Sequence, residues 1–197
     1  MPGHGRSGRD RGGAHVRAQR DGRLWHVFEE FLRQLAGVPD FLFVQAGVGG
    51  LSAAGVSVVR QASAATRVVV VEPQGSDAIA RSLATGSPTA VPDVPTVMAC
   101  LRCQSVSAVA WPILVAGVDA VVLVTDDEAA TAVRALARAD IVAGASGAAG
   151  LAGVLMACAD NSLRSQIGIA PDSRIAVVNT EGATDPAGYE AIIGRRN

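Results

Sequence analysis

Phe41-Leu42-Phe43-Val44-Gln45-Ala46-Gly47-Val48-Gly49-Gly50-Leu51-Ser52-Ala53-Ala54-Gly55-Val56-Ser57-Val58-Val59-Arg60-Gln61 is the stretch that decides the fold. The apolar run 41–44 reads as a strand. It runs straight into a glycine-rich turn, and the segment after the turn is helical in character. A continuously apolar strand is buried on both faces, which is the signature of a parallel sheet covered by crossover helices. Further strands of the same kind follow: Val68 to Val71, closed by Glu72-Pro73, then Val121 to Val124, then Ile175 to Val178. Four β-branched residues in a row at 68–71 favour a fully buried strand.

Helical stretches alternate with these strands. Upstream, Leu24, Val27, Phe28, Phe31, Leu32 and Leu35 recur at helical spacing, and Gly37 and Pro39 stop that helix. Downstream, helices are expected over 75–84, over short segments 96–101 and 110–115, and from Thr125 to about Arg138. Thr125 followed three residues on by Glu128 predicts a capping box. A small-residue helix follows GASGAAG and runs through Cys158; a last one begins near Pro186. Residues 85–95, with prolines at 88, 92 and 95, read as a loop. The fold class is α/β, a mostly parallel sheet flanked by helices.

Composition narrows the function. Hydrophobic residues are 49% of the 197 and aromatics only 4%, so Ala, Val, Leu and Gly must build the core. The net charge of −1 gives no global field toward nucleic acid or an anionic membrane, and no nucleic-acid or membrane partner is expected. Residues 1–22, rich in Gly, Arg and His, read as a disordered basic arm without a secretory signal; residues 23–197 read as one partial α/β domain. Three cysteines, an odd and sparse count, suit a cytoplasmic compartment. All 17 basic residues are arginine, so no lysine amine exists anywhere in the chain.

The residues that could carry chemistry cluster at strand ends. Gly47, Gly49 and Gly50 could let backbone N–H groups wrap an anion at a helix N-terminus; the alternative is a tight turn that binds nothing. A dinucleotide reading uses the same turn, with Glu72 placed 25 positions after Gly47 to meet a ribose, but its third glycine falls on Ser52. Ser146 and Gly147 open a second glycine-rich helix that could line a pocket or pack closely on the sheet. Asn179 and Thr180 end the last strand and could bond a ligand or cap a turn. Cys100 and Cys103 form C-x-x-C, but no second pair completes a metal site, and packing residues on a short helix are expected. Asp126, Asp127 and Glu128 are expected to complement a helix dipole.

Together QAGVGGLSAAG, VVVVEP, TVMACLRCQSVSAVAWPIL, SGAAGLAGVL and VVNTEGATDPAGY resemble the diaminopropionate ammonia-lyases over residues 24–194. That family shares the fold of threonine dehydratase and the tryptophan synthase β chain. The resemblance implies the C-terminal part of the large domain, truncated at its N-terminus. It implies pyridoxal 5'-phosphate as cofactor, with Gly47, Val48, Gly49 and Gly50 on the phosphate, Ser146 and Gly147 at the pocket wall, and Asn179 or Thr180 at the pyridine nitrogen. It implies α,β-elimination of a small amino-acid substrate to pyruvate and ammonia. The family's Schiff-base lysine and its acidic helper lie in a half that this chain lacks, so no catalytic residue is assigned. A complementing N-terminal half or a homodimer is the expected partner. A non-catalytic remnant that binds the cofactor or another anion, and a Rossmann-like dinucleotide-binding protein, are the alternatives.

Overall fold

A computed structural model describes residues 23–194; the expected arm at 1–22 lies outside them. Helix α1 (Arg23–Gln34) leads into β1 (Phe41–Gln45), α2 (Gly50–Ala62), β2 (Arg67–Pro73) and α3 (Ala78–Thr85). A 3-10 turn (Ala99–Leu101), α4 (Trp111–Gly117), β3 (Ala120–Val124) and α5 (Asp126–Arg138) follow. The chain continues through α6 (Ala145–Ala159), α7 (Asn161–Ile167), β4 (Ile175–Val177) and α8 (Pro186–Ile193).

The four strands form one parallel sheet in the order β3-β2-β1-β4. Strands β1 and β2 are central, with Phe43 opposite Val69 on one side of β1 and Val177 on the other. Val68 to Val71 are each 0% exposed, as a strand covered on both faces requires. Alternate side chains separate into two cores. Leu42, Val44, Val68 and Val70 pack with α1, α2 and α4, whereas Phe41, Phe43, Val69 and Val71 pack with α5, α6 and α7. From β1 the chain steps outward through β2 to β3, then returns on the opposite side of β1 as β4. The sheet's switch point therefore lies between the carboxyl ends of β1 and β4, where ligand crevices form.

Several expectations shift for visible reasons. The helix expected at 75–84 starts at Ala78, because the Glu72 carboxylate accepts the N–H groups of Ile79 and Ala80, each at 2.8 Å. The expected helix at 96–101 shrinks to a 3-10 turn. Asp126 accepts from Thr96 Oγ1 and Val97 N–H, and Thr96 Oγ1 accepts from Met98 N–H, so side chains take bonds that a helix needs. Helix α7 was not foreseen; Asp160 caps it by accepting from Ser162 and Leu163 N–H, at 2.8 and 3.0 Å. The Thr125–Glu128 capping box forms as expected. Among the described residues no helix is long and apolar enough to cross a membrane.

Helix α6 lies on the sheet through glycines. A Cβ at Gly153 would stand 2.6 Å from Val71 Cγ2 and 3.4 Å from Phe43 Cδ1. Alanine for glycine inside a helix ordinarily stabilises by roughly 1 kcal/mol. Here Gly153→Ala is expected to destabilise by about 1–3 kcal/mol through overpacking, a reversal of sign that urea denaturation would reveal.

Candidate cofactor cleft

The cleft begins where β1 ends. Ala46 N–H still bonds Val71 O at 2.9 Å, and the chain then turns through Gly47 to Gly50 into α2. Side chains are excluded here on steric grounds. A Cβ at Gly47 would lie 2.8 Å from Cys103 Sγ and 3.0 Å from Cys100 O. Gly49 has φ +95°, and a Cβ on it would meet Leu114 Cδ1 at 2.7 Å. Gly49 also caps α2 and, having no side chain, accepts none of the first-turn N–H groups. Those groups lack carbonyls four residues back, so the turn presents donors at the positive end of a helix dipole. Ser107 N–H bonds Val48 O at 2.8 Å and fixes the loop from outside.

The opposite wall is the start of α6 together with the turn after β4. A Cβ at Gly147 would fall 2.3 Å from Asn179 Oδ1 and 2.6 Å from Glu181 O, so glycine lets the 179–181 turn lie on the helix. Ser146 Oγ accepts Cys100 N–H at 3.2 Å and ties the 3-10 turn to the same wall. Gln45, the last residue of β1, is 2% exposed. Its Nε2 donates to Val178 O at 3.0 Å and to Thr180 Oγ1 at 3.3 Å, which joins β1 to the β4 turn across the switch point.

These elements enclose a cleft of about 390 Å³. Gly47, Val48, Gly49, Gly50, Ser146, Gly147 and Thr180, seven of the residues singled out in the sequence, all line it. Asn179 does not. Its Nδ2 donates to Val142 O at 3.1 Å and its Oδ1 accepts Glu181 N–H at 3.2 Å, which commits the side chain to the turn. Gln45 was missed as a site residue. The available signal was a lone amide closing an otherwise apolar, buried strand. A cavity of about 500 Å³ between α5 and α8 is larger, but it holds none of the residues singled out in the sequence.

The cysteine expectation needs correction. Cys100 is exposed and Cys103 half-buried, and both line the cleft rather than pack in the core. Burial pushes the Cys103 thiol up and so disfavours the thiolate, opposed by the Val48 N–H. Among the described residues no cluster of three or more metal-ligating side chains occurs. Glu72 is fully buried and its carboxylate is spent on α3, so it offers no acid to a ribose. This removes the second feature on which the dinucleotide alternative relied.

A glycine turn at a helix N-terminus, set at the switch point of a parallel sheet, defines a class of α/β proteins that seat a phosphorylated ligand in that crevice. Residues 21–181 match the family described as pyridoxal-phosphate dependent enzyme, and the chain belongs to that family. It is 31% identical over 176 residues to the diaminopropionate ammonia-lyase of Escherichia coli K12, covering 83% of this chain and 44% of that enzyme. It is 28% identical over 169 residues to the biosynthetic L-threonine dehydratase of Mycobacterium leprae, covering 84% of this chain and 37% of that protein. A crystal structure of the Escherichia coli diaminopropionate ammonia-lyase superimposes with a TM-score of 0.74 at 28% identity, covering 91% of this chain and 48% of that one. The chain thus spans less than half the length of these relatives. Pyridoxal phosphate is the cofactor of the family, and a cradle that Cβ atoms would fill, facing a helix N-terminus, fits its phosphate.

Two outcomes test the cleft. A Cβ at Gly50 meets nothing closer than Leu24 Cδ1 at 3.7 Å. Gly50→Asp should therefore keep the thermal midpoint, with an acid favoured in a helix's first turn, yet weaken binding of inorganic phosphate at least tenfold in a calorimetric titration. Glu72 supplies the second. Burial raises its pKa from 4.5 to about 7, opposed by the Ile79 and Ala80 N–H bonds and reinforced by Asp77. With the folded pKa above the unfolded one, its contribution to stability is complete below pH 4.5 and is lost as pH rises through about 7. Stability of the wild type relative to Glu72→Gln should fall over that window by on the order of 3 kcal/mol, measured by denaturation at stepped pH.

Proposed function

We propose that this chain is the phosphate-holding half of a pyridoxal-phosphate-dependent ammonia-lyase that eliminates the β-amino group of 2,3-diaminopropionate or a related β-substituted amino acid. A lysine-bearing half supplied by another chain would complete it. The observation that carries the reading is the cleft at the β1/β4 switch point, lined by glycine N–H donors and the Thr180 hydroxyl in a chain without a single lysine.

The Gly47–Gly50 turn and the α2 dipole hold the phosphate without a cationic side chain. Gly147 keeps the wall thin enough for the turn after β4 to reach the cleft. Thr180 Oγ1 carries a hydroxyl hydrogen to the far end. When bound, the cofactor supplies an electron sink for the carbanion left on removing the substrate's Cα proton. No residue here supplies the amine that must carry the cofactor between turnovers. The mouth of the cleft supports a covering partner: Val48 is 48% exposed and Leu24 45%.

Co-expression with the lysine-bearing N-terminal half of an ammonia-lyase relative tests this. The mixture should release ammonia from 2,3-diaminopropionate, and borohydride should fix the cofactor to the added half alone. The chain by itself should bind pyridoxal phosphate reversibly, with no stable adduct. Cofactor binding without ammonia release in any combination would instead favour a non-catalytic binding remnant.

A further inference from the structure

We propose that Gln45 is a positioning residue that fixes the direction of the Thr180 hydroxyl and so makes the far end of the cleft a hydrogen-bond donor. Val178 O can only accept, so the amide must turn its NH2 toward it. One N–H then reaches Val178 O at 3.0 Å, and the other reaches Thr180 Oγ1 at 3.3 Å. Thr180 Oγ1 is thereby the acceptor, and its own proton remains to be given to a ligand atom in the cleft. The cost of this orientation is visible. Gln45 Oε1 is buried without a hydrogen-bond partner among the described residues, in the space left by Gly150, whose Cβ would lie 3.1 Å from it. A buried unpaired acceptor is unfavourable, and a leucine of similar size would avoid it. The arrangement favours a ligand with an unprotonated aromatic nitrogen at that end and disfavours one that must donate there.

This rests on the cofactor reading, and the test separates the two. Dissociation constants are measured for pyridoxal phosphate, for its 1-deaza analogue (carbon in place of the ring nitrogen) and for inorganic phosphate. The wild type should prefer pyridoxal phosphate over the deaza analogue by about fivefold, the worth of one hydrogen bond. Thr180→Ser should keep that preference. Gln45→Leu, Gln45→Glu and Thr180→Val should each abolish it, with no further loss in the Gln45→Leu/Thr180→Val double variant. Phosphate affinity should be unchanged throughout, which also reports that the variants have folded. If Gln45→Leu fails to fold, Gln45→Glu, measured above the pH at which its carboxyl ionises so that it keeps the size but can no longer donate, gives the answer. An undiminished preference in the folded Gln45 variants overturns the proposal. So does a wild type indifferent to the ring nitrogen. A wild type that binds phosphate but neither pyridoxal phosphate nor its deaza analogue overturns the cofactor reading and this proposal together.

Discussion

The close approach of α6 to the sheet is the constraint on which the rest depends. Gly147, Gly150 and Gly153 recur every three residues along one side of the helix. Their missing Cβ atoms would meet Asn179 and Glu181, then Gln45 and Phe43 O, then Val71 and Phe43. Without that clearance the helix would ride up from β1 and β2, the Gln45 amide would lose its space, and the turn after β4 could not reach the cleft. The same contact that closes one core therefore shapes one wall of the site.

Cationic side chains are arranged around the cleft rather than within it; the charged side chain among its lining residues is the Glu181 carboxylate. Arginines act as clamps on backbone elsewhere: Arg60 donates to Thr66 O and Gly117 O and pairs with Asp119, and Arg67 donates to Ile167 O. None of them lines the cleft. Anion affinity there is left to glycine N–H groups and the α2 dipole, which require backbone geometry but no cation. An arginine cannot substitute for the absent amine, because its guanidinium stays protonated and does not act as a nucleophile. The described lining of the cleft thus offers backbone donors to an anion and no side-chain amine.

Much of the architecture was legible because strand burial is written as unbroken apolar sequence. Phe41 to Val44 and Val68 to Val71 announced themselves this way; Val121 to Val124 announced a strand, but at the sheet edge only Val122 and Val124 are buried, and the capping box at Thr125 marked a helix start through purely local bonds. What local reading missed depended on distant partners. Thr96 and Val97 gave up helix for bonds to Asp126, thirty and twenty-nine residues away. The cysteines at 100 and 103 suggested core packing by residue type, but the 3-10 turn, tied to Ser146, carries them to the cleft.

The sequence by itself determined a parallel α/β sheet, the glycine turn after its first strand and the absence of any lysine, because each is a property of contiguous residues or of composition. Tertiary structure alone separated Asn179, bonded to Val142 O, from Thr180, which Gln45 holds at the cleft. It also decided the fate of Glu72, whose carboxylate belongs to α3. Both outcomes turn on which hydrogen-bond partner a polar group finds once water is excluded, and that partner is set by the fold, not by the neighbouring sequence.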